Sequence, residues 1–181
     1  MYWARVARAV DPMPTTPLKK GDLAPDFALE STLGHPVRLK DYREKGPVVV
    51  YFYPKAGTSV CTAEACSFRD HLPEFTGRGA TVLGISTDDL PALQKFQADN
   101  HLNFPLLSDR DGKVAEAYGV RATMKGQTVA QRVTYLVDRE GRIEEAQVLW
   151  DVGTPISDLP SHTQGVVDHV GKLVHQLPRK G

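Results

Sequence analysis

Pro47-Val48-Val49-Val50-Tyr51-Phe52-Tyr53-Pro54 runs directly into Lys55-Ala56-Gly57-Thr58-Ser59-Val60-Cys61-Thr62-Ala63-Glu64-Ala65-Cys66. The first of these segments is β-branched or aromatic at odd and even positions alike, between two prolines. A strand apolar on both faces belongs inside a sheet covered on each side, the position that parallel sheets create. The second segment predicts a helix from about Thr58 to Phe75, with Thr58 as N-cap and Ala63, Ala65 and Leu72 as good helix formers. A buried strand passing into a helix is the unit of an α/β sheet, and ligands of such sheets bind at the carboxyl ends of the strands.

The pattern continues on either side. Downstream, Thr81–Ser86 reads as a second buried strand, Leu90–Asn100 as a helix and Pro105–Leu107 as a short strand. An Asp109-Arg110-Asp111-Gly112 turn then leads to a helix over Val114–Tyr118. Gln131–Val137 and Arg142–Trp150 flank Arg139-Glu140-Gly141, a hairpin signal. The last predicted helix, Gly165–Gln176, sets Val166, Val167, Val170, Leu173, Val174 and Leu177 at three- and four-residue spacings, a stripe that faces a core. Upstream, Asp26–Glu30 and Val37–Leu39 flank Gly34-His35-Pro36 and predict an N-terminal hairpin. The expectation is one α/β domain over residues 18–181, preceded by a flexible N-terminal extension, residues 1–17, whose prolines 12, 14 and 17 favour an extended leader.

Composition bounds the function. The chain has 181 residues, 41% hydrophobic and 24% charged, the usual balance of a globular protein. Lys plus Arg and Asp plus Glu are both 22, a formal net charge of zero, so neither nucleic acid nor an anionic membrane surface is an expected partner. The longest apolar run, Val48–Tyr53, is far short of the roughly 20 residues that span a bilayer. Arg5 and Arg8 interrupt every run that could form a secretory signal, so a cytoplasmic protein is expected. The six histidines and two cysteines lack zinc-site spacing, so neither metal nor cofactor is expected.

The two cysteines, Cys61 and Cys66, therefore invite a redox reading. Counting from Thr58, Cys61 falls in the first helical turn, where free N–H groups and the helix dipole favour an anion and so a thiolate. Five residues apart in a helix, the two Cα atoms are about 8.6 Å apart and the side chains point about 140° apart. A disulfide needs Cα atoms within roughly 7 Å. The pair can close only if the first turns unwind. Read singly, each residue has a plainer role open to it: a small buried hydrophobe for either cysteine, a simple N-cap for Thr58, a solvated strand residue for Arg132.

Taken together, Tyr51-Phe52-Tyr53-Pro54-Lys55 and Thr58-x-x-Cys61 resemble the Pro-x-x-x-Thr-x-x-Cys motif of peroxiredoxins. Cys66 followed by Phe68-Arg69-Asp70 is similar to the bacterioferritin comigratory protein or PrxQ branch of that family. Gly21-Asp22-x-Ala24-Pro25-Asp26-Phe27, Gly84-Ile85-Ser86-Thr87-Asp88, Leu106-Leu107-Ser108-Asp109 and Arg132-x-x-Tyr135-Leu136-Val137-Asp138-x-x-Gly141 extend the resemblance over Leu18 to Trp150. It implies a thioredoxin-like fold, a central mixed sheet flanked by helices. It also implies reduction of hydrogen peroxide and organic hydroperoxides, with thioredoxin or a similar dithiol as reductant, in a monomer.

By position, the resemblance makes Cys61 the peroxidatic nucleophile and Cys66 the resolving thiol. It gives Thr58 the peroxide oxygens, makes Pro54 a shield against bulk water, and makes Arg132 the cation beside the sulfur. One departure stands out: that branch usually carries Pro-Gly before the first cysteine, and here Ser59-Val60 places an apolar side chain by the pocket. The alternative from another class is a regulatory protein switched by a Cys61–Cys66 disulfide. A thioredoxin-type oxidoreductase would need Cys-x-x-Cys, which is absent.

Overall fold

A computed structural model describes residues 16–148 and 158–176. Most of the expected N-terminal extension, Trp150 of the last predicted strand and Leu177 of the last helix lie outside the described residues. At the described N-terminal edge, the Thr16 carbonyl lies over Gly119, where a Cβ would come within 1.9 Å of its oxygen. That contact, with φ of 72° at the same residue, requires glycine.

The strand between the two prolines is β3 (Val48–Phe52), preceded by β1 (Ala28–Ser31), β2 (Val37–Arg38) and the short α1 (Leu39–Arg43). After β3 come α2 (Ser59–Gly77), β4 (Thr81–Ser86), α3 (Leu90–Asp99), β5 (Leu106–Ser108) and α4 (Lys113–Ala117). A hairpin of β6 (Arg121–Met124) and β7 (Gln127–Ala130) precedes β8 (Val133–Val137), β9 (Ile143–Val148) and α5 (Leu159–Gln176). The main sheet runs β2-β1-β5-β4-β3-β8-β9, with β3 parallel to β4, β4 parallel to β5, and β8 antiparallel to β3. This is the expected mixed sheet with an N-terminal hairpin.

Every residue of β3 is buried, and the alternation divides them between two cores. Val49 and Tyr51 join Phe68 and Phe75 of α2, Leu93 and Phe96 of α3, and Val166, Val167 and Val170 of α5. Val48, Val50 and Phe52 join Leu39 of α1, Ala115 of α4, Val133, Tyr135 and Val137. Burying one such side chain contributes roughly 1.5–3 kcal/mol, so a strand filled on both faces anchors the sheet.

The structure differs from the sequence expectation at two marked boundaries and in two elements, a hairpin and the short α1, which was not expected. Strand β8 starts at Val133, so Gln131 and Arg132 precede it. Helix α5 starts at Leu159, six residues before Gly165; Pro160 in its first turn suits a helix start because its missing N–H would have no helical partner there. The β6–β7 hairpin was not expected. Its turn is Lys125-Gly126, with φ of 51° and 76°, a left-handed pair closed by a lysine rather than by Asn or Asp.

Candidate active site

Thr58 occupies the N-cap position of α2, in extended conformation, so Cys61 is the third helical residue as the spacing predicted. The Thr58 hydroxyl makes no cap bond; it donates 2.9 Å to the Lys55 carbonyl and so braces the loop. That loop is also held from just beyond β4, where the Asp88 carboxylate accepts from Ala56 N at 2.8 Å and from Ser86 Oγ at 2.7 Å. Gly57, with φ of 82°, supplies the left-handed step that swings the chain from strand into helix.

Strand order explains why a residue 71 positions away meets Cys61. Because β8 runs antiparallel to β3, Val133 pairs with Phe52, and Arg132 emerges beside the carboxyl end of β3. Its Nη2 donates 3.2 Å to Cys61 Sγ, and its Nη1 lies 3.1 Å from Glu64 Oε1. The Arg132 and Glu64 side chains are only 2% and 1% exposed. One guanidinium thus spans a sulfur and a carboxylate from adjacent turns of α2, a bidentate use that its rigid fork permits and a lysine would not reproduce. Cys61 is buried, yet it borders a pocket of about 150 Å³ also lined by Pro54, Thr58, Val60, Met124 and Arg132. Beneath it, desolvation pushes the hydroxyls of the fully buried Tyr51 and Tyr53 up, so both remain neutral phenols next to the charged cluster.

The structure therefore brings together Cys61, Thr58, Arg132 and Pro54. It does not bring Cys66 to them: both cysteines stand free within α2, and the half-buried Cys66 faces Asn100 Oδ1 at 4.0 Å. Glu64 and Met124 were not singled out from sequence, and Asp88, quoted in the Gly84–Asp88 motif, was given no role. An acid in a helix reads as a solvated side chain, and Met124 arrives on the hairpin that went unrecognised. For Asp88 there was a local signal, a Ser-x-Asp directly after a buried strand. Among the described residues no group of three His, Cys, Asp or Glu could hold a metal ion, and no helix is long and apolar enough to cross a membrane.

A buried arginine holds a sulfur at the carboxyl end of the central strand, and comparison with known proteins sets this site in the class of thiol-dependent peroxidases with a thioredoxin-like fold. The AhpC/TSA family pattern matches residues 20–146, and the chain belongs to that family, among peroxiredoxins of the Bcp and PrxQ kind. It is 45% identical over 132 residues to peroxiredoxin Bcp of Escherichia coli, covering 71% of this chain and 84% of that one. It is 42% identical over 127 residues to the chloroplastic peroxiredoxin Q of Oryza sativa subsp. japonica, covering 70% and 58%. Among solved structures, peroxidoxin BcpB of Mycobacterium tuberculosis matches with TM-score 0.74 and 33% identity, over 84% of this chain and 97% of that one. The bacterioferritin comigratory protein of Xanthomonas campestris, described for its alkyl peroxide reduction activity, matches with TM-score 0.70 and 28% identity, over 82% and 92%.

Proposed function

We propose that the protein reduces hydrogen peroxide and organic hydroperoxides through a two-cysteine cycle. The Cys61 thiolate attacks one peroxide oxygen, the O–O bond breaks, and water or an alcohol leaves. Cys61 becomes a sulfenic acid. The observation that carries this reading is the Arg132 Nη2 bond to Cys61 Sγ inside a small pocket: the same donor that holds the sulfur lies where charge grows on the departing oxygen. Pro54 walls the pocket, and Thr58, which lines it with its hydroxyl on the Lys55 carbonyl, offers its oxygen to the bound peroxide. Cys66 then condenses with the sulfenic acid to a disulfide, which thioredoxin or a similar dithiol opens by exchange.

Because both cysteines are helical, resolution requires the first turns of α2 to unwind. A cycle that depends on a dithiol donor suits a reducing compartment, the cytoplasm, and zero net charge favours neither nucleic acid nor membrane. Action as a monomer is part of the same reading.

The test is a single turnover. Reduced wild-type protein given one equivalent of peroxide should lose two hydrogens by intact mass and yield a linked Cys61–Cys66 peptide. Cys66→Ser should instead gain one oxygen, consume that first equivalent at an unchanged rate, and fail to cycle with thioredoxin. Normal cycling by Cys66→Ser removes Cys66 as the resolver.

Val60 and the 40% exposed Met124 make one side of the pocket apolar. Met124→Gln should therefore raise KM for a bulky organic hydroperoxide by about three- to tenfold and leave hydrogen peroxide unaffected. Equal changes for both substrates would contradict this.

A further inference from the structure

The two cysteines sit in parts of α2 that are held differently. At the start of the helix Ser59 is exposed and Val60 is half-buried. After Cys66, three successive residues are pinned. Ser67 Oγ shares a 2.7 Å hydrogen bond with Thr163 Oγ1 of α5. Phe68 is fully buried and stacks on Tyr51 with ring centroids 4.4 Å apart. Arg69 Nη1 donates 2.7 Å to the carbonyl of Asn100, the C-cap of α3, and Asn100 is also the residue that Cys66 Sγ faces. Pro73, inside α2, lacks the N–H that would close a helical bond on the Arg69 carbonyl; Asn103 Nδ2 donates to it instead, at 3.4 Å. The Arg69 turn is thus tied to the end of α3 by both its side chain and its backbone.

A groove of about 530 Å³ between α2 and α3, lined in part by Thr62 and Asn100, leaves room on the side that Cys66 faces. Unwinding that ends at Cys66 lets Cys61 travel to a stationary partner. Unwinding that runs past it sets both sulfurs loose, and the advantage of a held reactant disappears.

We propose that Arg69 is a positioning residue for the resolving step: its bond to the Asn100 carbonyl ends the unwinding of α2 at Cys66 and holds that thiol where the Cys61 sulfenic acid arrives. The inference rests on the two-cysteine cycle above. In the step itself, the Cys66 thiolate attacks the Cys61 sulfur, an S–S bond forms and the S–O bond breaks. The hydroxide released takes up a proton as water. The Cys66 sulfur is oxidised, the Cys61 sulfur is reduced, and no external oxidant enters.

The experiment follows reduced protein after one equivalent of peroxide, by rapid quench and intact mass. Arg69→Leu should form the Cys61 sulfenic acid at the wild-type rate and close the disulfide about tenfold more slowly, the scale expected for losing the charged hydrogen bond to the Asn100 carbonyl, since the exposed pair that Arg69 Nε also makes with Asp70 at 2.9 Å contributes little. Under excess peroxide it should show a larger share of Cys61 sulfinic acid, because the sulfenic acid persists for a second hit. Arg69→Lys, which can still donate to the Asn100 carbonyl, should recover most of the closure rate; a general loss of stability would not be repaired in this step alone. Disulfide closure in Arg69→Leu at the wild-type rate overturns the inference, as does an equal slowing of sulfenic acid formation. A wild-type protein that closes no disulfide at all overturns the two-cysteine cycle instead, so the two failures are distinguishable.

Discussion

Cys61→Ser abolishes peroxide consumption, by at least about 10³-fold, while the fold is kept. The substitution replaces a sulfur by a slightly smaller oxygen at a residue that is already buried and already bonded by Arg132 Nη2, so the helix start and the Arg132–Glu64 pair have no reason to move. The chemistry, however, has no substitute. Sulfur accepts an oxygen and returns it through a disulfide, whereas a serine hydroxyl is neither ionised near neutral pH nor able to climb that oxidation ladder. Cys66 cannot take over, because it faces Asn100 rather than the pocket that holds Arg132 and Thr58. Peroxide consumption with a dithiol reductant in excess measures the effect. Turnover within tenfold of wild type would move the nucleophile away from Cys61.

What was legible from sequence follows from which signals are local. The buried strand β3, the helix after it and the placement of Cys61 in the first turn all lie in one continuous stretch, where two-sided burial and N-cap spacing are visible without tertiary information. Three of the five expected site residues, Pro54, Thr58 and Cys61, share that stretch; Arg132 was named only through the resemblance and meets them because β8 lies beside β3. The β6–β7 hairpin was not legible. Its strands are short and half-exposed, and Lys125 takes a left-handed conformation that lysine does not advertise. Missing the hairpin meant missing Met124 at the pocket. Glu64 was missed because nothing near it in sequence explains its burial; its partner is 68 residues away and reaches it only because β8 lies beside β3. The start of α5 was placed late because Gly165 looks like a boundary, whereas Pro160 at the true first turn is tolerated by the helix.

Arg132→Met slows the attack on peroxide by about 10²- to 10³-fold, the range for removing one preorganised donor at a developing anion. Two effects are mixed in that variant. The sulfur loses the donor at 3.2 Å, and Glu64 loses a partner at 3.1 Å in a setting where both side chains are almost wholly buried. Breaking a buried ion pair from one side destabilises by about 3–5 kcal/mol, which by itself could loosen the start of α2 and mimic a catalytic defect. The double variant Arg132→Met with Glu64→Gln separates the effects, because it removes the carboxylate charge along with the guanidinium. Its melting temperature should return towards that of the wild type, while the rate of sulfenic acid formation should stay at the level of Arg132→Met. If instead the rate recovers together with the stability, Arg132 serves the helix rather than the peroxide, and the hydrogen bond to Cys61 is packing rather than catalysis.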